Sequence, residues 1–278
     1  MDRVILHAPA KINLRLVVGP RGEDGYHPLT TLMVALAGVA DVVTVRHADR
    51  RAVVCPGIEG PRNLAWTALD ALEAEVGRPL PLEVVIEKRI PAQAGLGGGS
   101  SDAAAALVAA DRIHGLGLGD EGLERVAARV GSDVPFFVRG GAQWARGRGE
   151  RLRPAFAPTF TALLAKAPGG LSTGAVYAAF DRLPPPASPA DVPPPPGLPA
   201  LAGWVRNDLW PAALALQPPL GATARALSAA GATAVLLCGS GSSVAGLFPG
   251  RAAAAAALAR LPESWFRAVV EPLAPLPG

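Results

Sequence analysis

The chain has 278 residues, half of them apolar, with 26 basic and 23 acidic side chains and a net charge of +3. That length suits one large or two modest domains with a sizeable core, and a charge so near balance gives no electrostatic case for nucleic acid as a partner. Only 5% of residues are aromatic, too few to interleave with basic runs as single-strand binders require.

The N-terminal stretch MDRVILHAPAKINL carries an early acid and no long apolar region, so no export signal is expected and a cytoplasmic location is the default. Its alternation marks short strands at about Arg3 to His7 and Ile12 to Val18, with Lys11 and Asn13 two residues apart on one face. A lysine so placed is, taken alone, a surface residue. Next come EDGYHPL, which offers Tyr26 and His27 after a turn, and strands at about Leu29 to Leu36 and Val42 to His47. A helix follows over about Asn63 to Val76. Cys55 and Cys238 are the only cysteines, and they supply neither a disulfide framework nor metal-ligand spacing.

EVVIEKRIP then alternates like a strand and feeds AGLGGGSS, in which four of the five residues from Gly95 to Gly99 are glycine. Glycine leaves the backbone open to close approach. Ser100 or Ser101 is placed to cap a helix running from Asp102 to about His114. Loop amides and the first-turn N–H groups then point one way with the positive dipole end behind them, which reads as an anion cradle for phosphate. A flexible linker feeding a capped helix is the plainer alternative, and the strand, loop and helix context favours the cradle. It is no P-loop, for no lysine follows the glycines. It is no dinucleotide fingerprint either, since serine stands at the third glycine position and no βαβ array surrounds it.

A further helix through DEGLERVAARV leads into VGSDVPFFVRGG, where Asp133 sits in an apolar neighbourhood that obliges a carboxylate to find a partner. A capping role is its plain reading. ARGRGERLR, with Arg146, Arg148, Arg151 and Arg153, reads as the wet face of a strand or hairpin. The proline-rich run from Leu183 to Pro199 cannot be regular structure and is expected to be an irregular surface excursion. Helices at about Trp210 to Gln217 and Ala222 to Ala230 precede strands TAVLLCG and SVAGLF. Between those strands, CGSGSS is a second Gly-Ser loop whose plain reading is a tight hairpin. A helix through the Ala252 run, far short of the roughly 18 apolar residues that span a bilayer, and a strand near Trp265 to Val270 close an α+β pattern.

Taken in order, PAKINL at Pro9 to Leu14, PAQAGLGGGSSDAAA at Pro91 to Ala105 and CGSGSS at Cys238 to Ser243 resemble the three signature motifs of the GHMP superfamily of small-molecule kinases. DGYHPL, GSDVPFFVRGGA and RND at Arg206 to Asp208 resemble, within it, the branch that phosphorylates a cytidyl diphosphate substrate in the non-mevalonate isoprenoid pathway. The resemblance spans Pro9 to Ser243. It implies a two-domain α+β GHMP kinase fold. An N-terminal, ribosomal protein S5 domain 2-like ATP-binding domain would cover 1–154 and a C-terminal, ferredoxin-like α/β sandwich 155–278, with the active site in the cleft between them.

The same resemblance implies ATP as cosubstrate with Mg²⁺, transfer of phosphate to a 2-hydroxyl, Asp133 as general base and Lys11 close to it. ATP would lie on Pro91, Ala94, Gly95, Leu96, Gly97, Gly98, Gly99, Ser100 and Ser101. Asn13 would stand near the reacting hydroxyl, Tyr26 and His27 would grip cytosine, and Tyr177 would stack on its other face, although Gly174 replaces a proline in that segment. Gly239 and Ser240 are expected on the substrate side. Ser100, Ser101 and Asp102 all remain open as metal contacts. A monomer or weak homodimer is expected, with no nucleic acid or membrane partner. Two alternatives are a homoserine- or mevalonate-kinase type activity, against which Tyr26, His27 and SDVPFF argue, and a non-catalytic metabolite sensor, against which the presence of Lys11 and Asp133 argues.

Overall fold

A computed structural model describes residues 2–184 and 192–273. Contacts divide the chain into two units that interleave in sequence: 1–10, 40–90 and 97–140 form one, and 11–39, 91–96 and 141–278 the other. A single boundary near Pro154 does not follow this grouping, because the first two strands each run through both units.

The first unit draws on β1 (Arg3–Val18), β2 (Leu29–His47), β3 (Ala52–Val54), α1 (Leu64–Val76), β4 (Leu82–Glu87), α2 (Gly98–His114), α3 (Gly119–Val130) and α4 (Val134–Arg139). β3 lies parallel to β4, and β4 pairs antiparallel with the second half of β2, Val45 opposite Val84. The alternating valines and Ile86 put one face into a core closed by Leu69 and Leu72 of α1 and by the alanines of α2. Asn63 caps α1, its side chain accepting from the Ala65 amide at 2.9 Å. α2 is buried almost all round, the mark of a central helix, and its alanines let α1, α3 and α4 approach its axis closely. α4 was not apparent in the sequence, since six residues are too few to show a period.

The second unit is built from β5 (Ala142–Gly147), β6 (Arg151–Pro154), β7 (Thr161–Lys166), α5 (Thr173–Phe180), α6 (Leu198–Trp204), β8 (Arg206–Asn207), α7 (Trp210–Leu216), α8 (Pro219–Ala229), β9 (Ala234–Leu237), β10 (Val244–Phe248), α9 (Arg251–Leu258) and β11 (Phe266–Pro272). Its sheet runs β2-β11-β7-β10-β9 with antiparallel neighbours throughout. Phe248, Leu163 and Val244 meet Leu227, Leu220 and Val176 from the helices in one core. β5 and β6 form a hairpin, and Arg146, Arg148, Arg151 and Arg153 are exposed on it, the solvated face expected.

Two pairs of expected strands prove continuous. Pro9 removes one donor from β1 without ending it. β2 stays extended through 37–41 because it exchanges partners, from β5 at 29–34 to β11 at 36–37 and β4 at 42–47. The middle of the proline-rich excursion, 185–191, lies outside the described residues. Its end is regular: α6 begins at Leu198 with Pro199 in its first turn, where a missing amide costs nothing. Among the described residues no helix is long and apolar enough to cross a membrane.

Candidate active site

Lys11 is not a surface residue. It is 4% exposed, its Nζ donates to Asn13 Oδ1 at 2.6 Å, and Asn13 Nδ2 donates to Thr31 Oγ1 on β2 at 2.9 Å. The pleat places Lys11 and Asn13 on one face, as the two-residue spacing requires, and the relay fixes both rotamers. An ammonium is placed in a nearly dry site only at a cost that binding an anion can offset. The Lys11 amide donates to Leu96 O at 3.0 Å, tying β1 to the glycine-rich segment.

That segment does two different jobs. Its first part is docked on the loop between β9 and β10: Ser242 N donates to Gln93 O and Ser243 N to Ala94 O, each at 3.1 Å. A Cβ on Gly95 would sit 1.8 Å from Cys238 O, so this glycine exists for backbone contact with the second loop. Ala94 and Leu96 are buried. The second part starts α2. Gly97, at φ +74, is its N-cap, and the helix begins at Gly98, ahead of the serines. Ser100 and Ser101 therefore cap nothing: both lie within the first turn, with the Ser101 amide on Gly97 O at 2.9 Å. A left-handed turn at Gly97 lets the chain enter the helix four residues early. The amides of Gly98, Gly99 and Ser100 are left without intrahelical acceptors, as at any helix start.

The second loop is the hairpin that its plain reading foresaw, with Val244 paired to Leu237 across its base. Asn207 holds it, Nδ2 donating to Leu237 O at 2.9 Å and Gly239 O at 2.7 Å. Ser240 Oγ lies 2.9 Å from Thr173 Oγ1. A Cβ on Gly239 would come within 3.2 Å of Lys11 Nζ and 2.8 Å of Gly95 O, so Lys11, Gly95 and Gly239 share one small volume. Burial pushes the Cys238 thiol there up to about 12, against the opposing pull of Lys11, which disfavours the reactive thiolate.

Behind the start of α2 lies a charge cluster that no sequence window revealed. Lys88 Nζ donates to Asp102 Oδ2 at 2.7 Å and to Asp41 Oδ2. Asp41 Oδ1 accepts the amides of Arg89 and Ile90 at 2.5 and 2.8 Å. Asp102 is 2% exposed and its Oδ1 has no hydrogen-bond partner. Burial pushes the Asp102 carboxyl up to about 7, with Lys88 opposing and Asp41 adding to the rise. For Lys88, burial works to lower the pKa and is outweighed by the two carboxylates, which raise it.

Of the residues expected at the base, His27 and Tyr177 come together, ring centroids 5.5 Å apart at 33°. His27 Nδ1 is 2.9 Å from Gly19 O. Its Nε2 lies 2.8 Å from Asp181 Oδ1, outside hydrogen-bond alignment. Tyr26 is 54% exposed, with the Arg148 guanidinium 4.6 Å over its ring. Asp133 occupies the N-cap position of α4 but makes no capping hydrogen bond, so the plain reading of its role does not hold.

The GHMP kinases N terminal domain family matches residues 63–141 and the GHMP kinases C terminal family residues 199–267. A 4-diphosphocytidyl-2-C-methyl-D-erythritol kinase of Nocardia farcinica is 42% identical over 99% of this chain and 95% of its own length. The enzyme so named from Mycolicibacterium gilvum is 44% identical over 86% of this chain and 80% of its own. A crystal structure of 4-(cytidine 5'-diphospho)-2C-methyl-D-erythritol kinase superposes with a TM-score of 0.81 at 35% identity, covering 96% of this chain and 99% of that one.

Proposed function

The chain belongs to the 4-diphosphocytidyl-2-C-methyl-D-erythritol kinases of the GHMP family, and from that premise we propose how its residues share the reaction. The activity is ATP-dependent phosphorylation of the 2-hydroxyl of 4-diphosphocytidyl-2-C-methyl-D-erythritol, giving the 2-phosphate and ADP in the non-mevalonate route to isoprenoid precursors. Relatedness along the chain carries the activity, and the buried relay from Lys11 through Asn13 to Thr31 carries the assignment of roles.

Phosphoryl transfer passes through a loose transition state that needs position and charge compensation more than covalent help. The attacking hydroxyl oxygen bonds to the γ-phosphorus as the bond to the β,γ-bridging oxygen breaks, and Asp133 takes the hydroxyl proton late. Lys11 offsets charge on the transferred group, and Asn13 orients Lys11. The amides of Gly98 to Ser100, backed by the α2 dipole, hold ATP phosphate oxygens, while Pro91 to Leu96 form the earlier part of the same ATP loop. Tyr26, His27 and Tyr177 take the cytosine, with Gly239 and Ser240 on the substrate side.

The unpartnered Asp102 Oδ1 fits the water shell of an Mg²⁺ ion, with Ser100 and Ser101 as hydroxyl neighbours in the same turn. Bound there, the ion would neutralise phosphate charge. The working form is a cytoplasmic monomer or weak homodimer.

The test offers ATP with the cytidyl substrate, homoserine and mevalonate in parallel. ATP consumption with the cytidyl substrate alone is expected, and preference for either of the others overturns the substrate. Asp133→Asn keeps shape and removes the acceptor, so kcat is expected to fall on the order of 10²- to 10⁴-fold with ATP affinity nearly unchanged. Unaltered turnover would make Asp133 structural.

A further inference from the structure

The C-terminal turn of α5 aims three side chains at His27. Tyr177, Phe180 and Asp181 are spaced i, i+3 and i+4 and so share one face. Both aromatic rings lie 5.5 Å from the imidazole, and Asp181 Oδ1 is 2.8 Å from Nε2. Asp181 stands at the C-cap of α5, where the helix dipole disfavours a carboxylate. A residue that violates a local rule at a functional site calls for a compensating gain. Part of that gain is pairing with His27 and with Arg21, 3.6 Å away, but the pairing is incomplete, since His27 Nε2 is buried and unaligned with any acceptor.

The chemistry of the two groups is specific. Gly19 O can only accept, so His27 Nδ1 carries a hydrogen and is spent on the backbone. Nε2 is buried against Asp181, and it is the carboxylate beside it, an acceptor whose side chain is still 32% exposed, that a ligand can reach. Cytosine presents a ring nitrogen acceptor next to an exocyclic amine donor. Uracil presents the reverse, a ring N–H next to a carbonyl oxygen.

We propose that Asp181 is a specificity-determining residue for the nucleobase, its carboxylate accepting from the exocyclic amine. This rests on the assignment of His27 and Tyr177 to the cytosine. Tyr177 supplies the stacking face, four residues from the carboxylate on the same helix, so α5 presents face and edge recognition as one rigid piece. A carboxylate facing a C4 carbonyl leaves two acceptors opposed, which disfavours the uridyl counterpart.

The experiment measures kcat/KM for the cytidyl substrate and for its uridyl counterpart, with the KM for ATP as a check on the fold. Asp181→Asn is nearly the same shape and can donate as well as accept, so the cytidyl-to-uridyl ratio is expected to fall roughly tenfold to a hundredfold while the ATP KM holds. Asp181→Ala is expected to lower the cytidyl value more than the uridyl one. If both Asp181 variants keep the wild-type ratio while His27→Phe lowers it, Asp181 only orients the imidazole and the inference fails alone. If His27→Phe keeps the ratio as well, the base is read elsewhere and the assignment of the pocket fails with it.

Discussion

The two Gly-Ser segments, Gly95 to Ser101 and Cys238 to Ser243, have nearly the same composition and use it differently. In the second, the amides of Gly241, Ser242 and Ser243 are all consumed, by Cys238 O, Gln93 O and Ala94 O. In the first, the amides at the start of α2 are the ones geometry leaves over. A glycine-rich loop binds an anion through donors that the fold has not already used, and the second loop has spent three of its amides on docking and on its own turn. They differ again in how they are tethered. The start of α2 is held by charge, Lys88 between Asp41 and Asp102, and the hairpin loop by a neutral amide, Asn207.

The largest effect is expected where the segments touch. Gly95→Ala puts a Cβ 1.8 Å from Cys238 O at a residue with φ +72, so backbone must move and the docking of Gln93 and Ala94 on the hairpin loop is lost with it. A loss of about 3 kcal/mol or more is expected, together with most of the activity. Urea unfolding and turnover read it directly, and a stable, active Gly95→Ala protein would mean that the segments do not depend on each other.

The contrast between charge and amide tethers predicts a pH dependence on one side only. With its carboxyl raised to about 7, Asp102 binds a proton on folding in the interval above the ordinary value near 3.9. Stability from this group is therefore full at low pH, declines as pH rises through that interval and levels off above it. Asp102→Asn removes the slope. Between pH 5 and 8 the unfolding free energy of the wild type should fall by about 1 to 3 kcal/mol relative to the variant. Parallel curves would mean that Asp102 stays ionised throughout. Asn207→Ala strips the donor from two loop carbonyls and should cost about 1 to 2 kcal/mol, by the same amount at both pH values.

What the sequence disclosed follows from range. Periodicity placed Lys11 and Asn13 on one face and put strand, loop and helix in order, because these are relations within a few residues. Burial of Lys11 was hidden: it depends on Thr31, on Leu96 and on the loop at Gly239. The docking of Ser242 on Gln93 joins residues 149 apart, so Gly95 looked like a ligand-facing glycine when its neighbour is Cys238. Asp41 sits in an unremarkable AGVAD, and its role exists only through Lys88 and the two amides that follow it, 47 to 49 positions on. Asp181 could have been found, four residues after Tyr177 at a helix C-terminus, but only once α5 itself was recognised. The serines misled because the cap preference of Ser was weighed without the left-handed turn that Gly97 supplies first.

The smallest expected change is the most discriminating. A Cβ at Gly99 meets nothing closer than Leu64 Cδ1 at 3.6 Å, ordinary contact, and Gly99 lies inside α2, where alanine is the better helix former by up to about 1 kcal/mol. From the protein alone, Gly99→Ala should be neutral or slightly stabilising. If ATP phosphates rest on the first-turn amides, the added methyl stands where the ligand approaches, and the KM for ATP should rise several-fold with the KM for the cytidyl substrate unchanged. Stability and affinity would then move in opposite directions, as no packing defect can make them do. A variant that gains stability and keeps its ATP KM would move the phosphates off this turn, and with them the distinction between the two loops.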